Sequence, residues 1–275
     1  MMSAIRPGRR IPTLSMASLL CILLAAGCQR EGGEAGIEVL TSTTMLETIV
    51  MEIGGDRVRV ASLIPAEMPP EDFVLKPEHA DEVARADLII LSGWEEWAPE
   101  IINAGEGPGN VATTDMPGDL MLPHLHLDAA DSVTEALVRI DPAGEVFYRY
   151  NRTDYRSRLG IEAEDICASM VGIGGTRVIC SDALADFLDW MGFDIIGTYG
   201  GPEDISRNES ARLVEVGKKN AVRLVVDDSN RGESAGKNIA GEIGAARVVL
   251  NRYPDRGSYI DLLRSNANDL ISALE

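Results

Sequence analysis

The residues in this chain that could do chemistry are mostly oxygen donors. A pair of acids set between prolines, Glu71-Asp72 in the run Pro70-Glu71-Asp72-Phe73-Val74-Leu75-Lys76-Pro77, lies one loop beyond the apolar segment 58–64. Loops that leave the carboxyl ends of strands are where α/β proteins hold ligands, so Glu71 could put an anionic oxygen into a crevice. His124-Leu125-His126 offers an imidazole; read as strand-like alternation, at most one of the two rings points toward a given site. Ser181-Asp182, Asp227-Asp228 and Asn251 each follow a β-branched run. Every one of these has a plain structural use as well. Glu71-Asp72 suits a solvated turn, a histidine often serves packing, and Ser181 and Asn251 suit helix caps. Ser181-Asp182 near His124 could suggest a nucleophile and base, but no serine is read as sitting in a Gly-x-Ser-x-Gly elbow and surface carboxylate pairs do not imply hydrolysis, so binding is expected here and enzymatic chemistry is not.

The elements that must position these groups alternate in type. Apolar segments at 37–40, 58–64 and 88–91 are separated by helical periodicity at Met45, Leu46, Ile49, Val50 and Ile53 and by a helix opening at Pro77. Thr43 or Thr44 can cap the first helix and Gly54-Gly55 can end it. After the Gly-rich stretch 103–109, residues 132–139 read as a short helix. Strands at 178–180, 195–196, 224–226 and 248–250 then alternate with helices at 183–191, after Ser206-Arg207-Asn208-Glu209, at 234–243 and at 259–274. This βαβ rhythm predicts an α/β fold of two similar lobes, 37–141 and 173–275. The charged stretch 142–172, with Val146, Phe147, Tyr150, Tyr155, Leu159, Ile166 and Met170 among its polar residues, predicts one long linking helix with Gly160 as its bend. Trp94 and Trp97, beside Leu91 and Ile101, are expected to pack a helix onto the first lobe. A single stiff crossing predicts a nearly preformed ligand site.

The N-terminus places the protein outside the cytoplasm. Arg6, Arg9 and Arg10 precede an apolar run too short to cross about 30 Å of hydrocarbon, and small residues lead to Cys28. Residues 1–27 read as a secretory signal and 28–36 as a flexible tether. The formal charge of −19 becomes more negative by three once those arginines leave, which excludes nucleic acid as a partner. Cys167 and Cys180 could pair in an oxidising compartment or remain as two buried thiols.

Leu24-Ala25-Ala26-Gly27-Cys28 resembles the bacterial lipobox, whose cysteine carries the lipid. The body of the chain, 37–275, resembles the metal-binding lipoproteins of ABC importers for zinc and manganese. The resemblance rests on Thr41-Ser42-Thr43-Thr44-Met45-Leu46 leading to Ile53-Gly54-Gly55-Asp56, and on the run from Pro70 to Pro77 followed by Ala86-Asp87-Leu88-Ile89-Ile90. It continues in Pro123-His124-Leu125-His126-Leu127-Asp128, Asp182-Ala183-Leu184, and Ser258-Tyr259-Ile260-Asp261-Leu262-Leu263-Arg264. It implies two lobes joined by one long helix, with a metal held between them by a histidine of the first loop, a histidine of Pro-His-x-Trp, a histidine or glutamate of the second lobe and an aspartate after the last strand. By position these are Glu71, His124, Ser181 and Asn251, so one of the four usual donors is kept. Carboxylate, hydroxyl and amide oxygens suit ions harder than zinc, and the lower negative charge predicts weaker binding unless His126, Asp182, Asp227 or Asp228 joins. Asp228 is the first choice.

The resemblance implies a monomeric extracytoplasmic lipoprotein, anchored to a bacterial membrane through Cys28, that captures a divalent ion (Mn, Fe or Zn) for ABC permease and ATPase subunits. The alternative is a surface lipoprotein that keeps the scaffold for adhesion, a chaperone-like role or binding of a metal chelate.

Overall fold

β-branched runs flanked by helical segments build two parallel sheets. The computed structural model describes residues 36–103, 111–114, 119–201, 205–231, 234–255 and 257–275. The signal, Cys28 and the tether as far as residue 35 lie outside them, as does 104–110. In the first lobe β1 (Ile37–Thr43), β2 (Val58–Ile64), β3 (Leu88–Leu91) and β4 (Val111–Thr113) lie in the order β2-β1-β3-β4. In the second, β5 (Arg177–Ser181), β6 (Asp194–Tyr199), β7 (Leu224–Asp228) and β8 (Ala246–Leu250) repeat that order as β6-β5-β7-β8. All pairings are parallel. Parallel strands are covered on both faces, which is why Leu88–Leu91 is apolar and buried throughout. In each sheet the chain reverses its winding beside the first strand. Crevices therefore open at the carboxyl ends of β1 and β3 and of β5 and β7.

Helices complete each crossover. Of these, α1 (Thr44–Gly54) is capped by Thr43 Oγ1, which accepts from the Leu46 amide at 3.4 Å, and it ends at Gly55, whose φ of +53° suits a residue without a side chain. Pro77 opens a 3₁₀ turn that runs into α2 (Ala80–Arg85), and α3 (Ala98–Asn103) follows β3. In the second lobe α6 (Ala185–Trp190), α7 (Arg207–Lys219) and α8 (Ser234–Ile243) precede α9 (Tyr259–Leu274). Ser206 caps α7 through the Glu209 amide, and Ser258 and Asp261 form a reciprocal capping box on α9.

The expected linker is α5 (Glu145–Ser169), 25 residues or about 37 Å, with a 3₁₀ turn at each end. It runs unbroken through Gly160, where an added Cβ would meet nothing within 4 Å, so no packing constraint calls for glycine there. Tyr148, Tyr155, Leu159 and Ile166 form its buried stripe, and its other faces mix charged residues such as Arg149, Arg152 and Arg158 with exposed Val146, Tyr150 and Ile161. The stripe belongs to one contiguous core that also contains Val39 and Leu88 of the first sheet and Val178 and Leu224 of the second. Arg264 of α9 adds a bidentate ion pair to Glu162 of α5, at 2.7 and 2.5 Å. Cys167 on α5 is exposed and Cys180 in β5 is buried, and both are free thiols.

Around His124 the structure departs from the sequence reading. The short helix expected at 132–139 is instead the 18-residue α4 (Pro123–Ile140), so His124 and His126 sit on a helix and not on a strand-like face. Pro123 suits the first helical position, and Ala129, Ala130, Val133, Ala136 and Leu137 continue a helical stripe that the His-Leu-His-Leu alternation masks at its start. His126 is fully buried in the core. Its ring stacks on Tyr259 at 3.8 Å, its Nε2 accepts from the Tyr155 hydroxyl at 2.8 Å, and its Nδ1 donates to the Leu120 carbonyl at 3.2 Å. Both ring nitrogens are thus satisfied in the neutral form, and burial, which disfavours the charged ring, lowers its pKa from 6.5 to about 3.

Because the unfolded chain takes up a proton near pH 6.5 and the folded ring does not, His126 contributes stability that is lost as pH falls from about 6.5 toward 3. Denaturant unfolding across that range should show a loss approaching ~1.4 kcal/mol per pH unit from this group. His126→Gln, whose amide can accept from Tyr155, should be less stable at pH 7 by about 1–3 kcal/mol and should lack that component of the slope. Parallel pH dependence in the two proteins would refute the assignment.

Candidate ligand-binding cleft

The carboxyl edges of both sheets border one open cleft of about 530 Å³. The first lobe contributes Thr43 from the end of β1, Ser92 and Thr114 from just past β3 and β4, and Glu71 from the loop after β2. Asp119 comes from the segment before α4, and Phe73, Trp94 and Trp97 form an aromatic wall. The second lobe contributes Arg231 from the 3₁₀ turn after β7, and Arg252 and Tyr253 from the loop after β8. The turn that carries Trp94 is fixed by Glu95, whose carboxylate accepts from the Ser92 and Gly93 amides at 2.7 and 2.8 Å. Trp97 is buried edge-on against Phe73 as expected, whereas Trp94 is 47% exposed beside the cleft.

Glu71 spans the gap between the lobes. Its Oε1 lies 3.1 Å from Arg231 Nη2, while Arg231 Nη1 donates to Asp182 at 2.7 Å. Nearby, Asn230 Nδ2 donates to the Ala66 carbonyl at 2.6 Å. Arg252 is the more unusual group. Its side chain is only 14% exposed, and its terminal nitrogens lie 3.6 Å from Asp228 Oδ2 and 3.8 Å from Asp119 Oδ2. Both separations exceed hydrogen-bond length. The Nε atoms of Arg231 and Arg252 are buried without an acceptor among the described residues. Burial raises the pKa values of Asp119 and Asp228 despite the nearby arginine.

The sequence-derived donors are dispersed. Glu71 lines the cleft. His124 is exposed on the first turn of α4 and is absent from the cleft lining. Ser181 is buried at the end of β5, its hydroxyl without a hydrogen-bond partner among the described residues. Asn251 is exposed over a separate depression with Ala66, Glu67 and Ser229. Its backbone is clamped to α9 by Asn266, which accepts from the Asn251 amide at 3.2 Å and donates to its carbonyl at 2.8 Å. Asp228 is buried behind Arg252, its Oδ1 accepting from the Asn230 amide at 2.9 Å and its Oδ2 lacking a hydrogen bond among the described residues. Asp227 is consumed by structure, receiving hydrogen bonds from Tyr199 and Arg247, both at 2.6 Å. No three His, Cys, Asp or Glu side chains among the described residues form a ready metal cluster.

Arg231, Arg252, Tyr253 and Asp119 were not singled out by sequence, and Trp94, expected to pack a helix onto the first lobe, lines the cleft instead. The one available signal was that Arg252-Tyr253 directly follows the position expected to supply the last ligand. Contrary to the expectation that no serine sits in a Gly-x-Ser-x-Gly pattern, Gly232-Glu233-Ser234-Ala235-Gly236 fits it, but Ser234 opens α8 beyond a 3₁₀ turn and no histidine lines the cleft.

With this geometry in view, the comparisons with known proteins agree. The family profile described as ZnuA, zinc-uptake complex component A periplasmic, matches residues 39–273. The manganese-binding lipoprotein MntA of Halalkalibacterium halodurans is 25% identical over 297 aligned positions, covering 94% of this chain and 97% of that protein. A putative metal-binding protein of Treponema pallidum is 21% identical over 86% of this chain and 87% of its own length. A crystal structure of ZnuA superposes with a TM-score of 0.77 at 20% identity, covering 87% of this chain and all of that one.

Burial that raises the Asp228 pKa means that the folded state takes up this proton more readily than the unfolded chain, whose value is near 3.8. The ionised side chain therefore costs stability at neutral pH, a cost relieved as pH falls through the folded-state pKa. Asp228→Asn should melt above the wild type at pH 7, and the gap should close as pH drops toward 4. A lower melting temperature for Asp228→Asn at pH 7 would mean that attraction to Arg252 outweighs burial.

Proposed function

The chain belongs to the family of periplasmic zinc-uptake components, and from that premise we propose that it is the extracytoplasmic substrate-binding lipoprotein of an ABC importer. It captures a divalent transition-metal ion, Mn, Fe or Zn, in the cleft between its lobes and delivers it to permease and ATPase subunits. Anchoring is through lipidated Cys28, and the protein acts as a monomer. The metal cargo rests on the relatives, which include a manganese-binding lipoprotein matching 94% of this chain. The observation that carries the reading is the position of Glu71, a carboxylate in a cleft lined by loops from the carboxyl edges of both sheets.

The donor chemistry differs from an imidazole-rich site. Glu71 supplies an anionic oxygen, and Asp119 and Asp228 lie deeper on the Arg252 side. Fewer than three acids converge, so a bound cation keeps water in part of its coordination sphere, as hard divalent ions do. It must also compete with Arg231 for Glu71, which lowers affinity further.

Adding Mn²⁺ or Zn²⁺ to metal-stripped protein should raise its melting temperature, since a ligand selective for the folded state stabilises it by about 2.7 kcal/mol at a hundred times Kd. Glu71→Gln should abolish the gain. Arg231→Gln should strengthen cation binding by about tenfold by releasing Glu71 and Asp182. His124→Ala should leave the gain unchanged; its loss would bring the imidazole into the site. Indifference of the wild type to Mn²⁺, Fe²⁺ and Zn²⁺ would overturn metal capture.

A further inference from the structure

We infer that Arg252 and Arg231 form an oxyanion subsite in the cleft, so that the cation is taken up together with a small carboxylate ligand, as a metal–hydroxycarboxylate complex. The inference rests on the metal reading for the cation and on the two arginines alone for the anion. In a chain with 44 acidic residues against 25 basic ones, the cleft nevertheless presents two guanidinium groups. Arg252 makes no hydrogen bond among the described residues although its side chain is 86% shielded, and its nearest carboxylates stop at 3.6 and 3.8 Å. A buried guanidinium with idle donors is costly unless water or a ligand fills them. Its planar fork matches a carboxylate in bidentate geometry.

The surroundings favour an organic anion over a bare one. Arg252 Cζ lies 5.4 Å from the centre of the Tyr253 ring, which fixes the plane of the fork. Half-exposed Trp94 lines the same cleft with buried Phe73 and Trp97, an apolar surface suited to the carbon frame of a small acid. Asp119 and Asp228 sit too far from Arg252 to saturate it. They supply enough negative charge to keep the guanidinium in place when the cleft is empty and to disfavour anions that bring no cation with them. A complex in which a hydroxycarboxylate faces the arginines while its metal faces Glu71 satisfies both signs of charge at once.

The test is a set of calorimetric and thermal-shift titrations of the whole mature protein with Mn²⁺ alone, citrate alone, inorganic phosphate alone and equimolar Mn²⁺–citrate. Mn²⁺–citrate should bind at least tenfold more tightly than either component, and phosphate should be silent. Arg252→Gln should weaken the citrate-dependent part about ten- to hundredfold, Arg252→Lys should restore some of it, and Arg231→Gln should weaken it less. Should Arg252→Gln fail to fold, the Lys and Arg231 variants carry the same comparison. Mn²⁺ binding that citrate does not improve overturns the oxyanion subsite and leaves metal capture standing. Citrate binding that depends on Arg252 but is indifferent to Mn²⁺ overturns uptake as a metal complex and leaves only an anion subsite. Equal citrate binding in wild type and both Gln variants, or phosphate binding as strong as citrate, overturns the inference.

Discussion

Everything in this molecule hangs on the buried stripe of α5. Tyr148, Tyr155, Leu159 and Ile166 enter a core shared with both sheets, so the lobes are joined through packed side chains as well as by a covalent link. A parallel sheet must be covered on both faces, and here the inner faces are covered by α1, α4, α5 and α9 acting as a common layer. Tyr259 ties that layer from the other side, its ring stacked on His126 and its hydroxyl donating to the Met121 carbonyl at 2.5 Å. A wide hinge motion would tear this contiguous core, at a cost far above that of rotating a few surface side chains. The carboxyl edges of the two sheets are therefore held facing one another, and ligand entry is left to Arg231, Glu71 and the loops around them.

That rigidity makes the charge pattern of the cleft meaningful. Long side chains on a mobile surface pair and part at little cost, but Arg252 is enclosed and has few alternative positions. Arg231 holds one acid from each lobe, Glu71 and Asp182, and so acts as a latch across the mouth. A cation must displace this latch, whereas an anion can use it. The cleft thus sets two arginines, one of them enclosed, beside the acids Glu71, Glu96 and Asp119, a mixed pattern that is hard to explain as solubility alone.

Much of the scaffold was legible because burial writes periodicity into sequence. The alternation of β-branched runs with helices, the long charged linker and the last helix at 259–274 all follow from which faces are covered. The first helix ends at Gly54-Gly55 because a positive φ is needed there. His124 was not legible, because four residues of His-Leu-His-Leu satisfy a strand period as well as the start of a helix, and only Pro123 and the stripe beyond it decide. The cleft residues were hidden for a different reason. Asn251 follows β8 directly, but its backbone is clamped to α9 and the next two residues, Arg252 and Tyr253, turn into the cleft. Single loop arginines leave no periodic trace, and position along a strand does not foretell which of its successors faces inward.

The adjacent acids at the end of β7 show how structure and site are separated by one residue. Neighbouring strand residues point to opposite faces, so Asp227 and Asp228 meet different surroundings. Asp227 is fully buried, yet Tyr199 and Arg247 both donate to it, leaving its charge balanced and its oxygens engaged. Gly236 is closely packed there, since a Cβ would clash with Asp227 Oδ1 and the Tyr199 hydroxyl. Asp228 is as deeply buried, but one oxygen is idle and its arginine stands off at 3.6 Å. An acid whose bonding capacity is saturated stabilises a fold, and one held short of its partner keeps that capacity for something else. On this ground Asp228 and Arg252, separated by a gap neither closes, belong to the working part of the cleft, while Asp227 belongs to its frame.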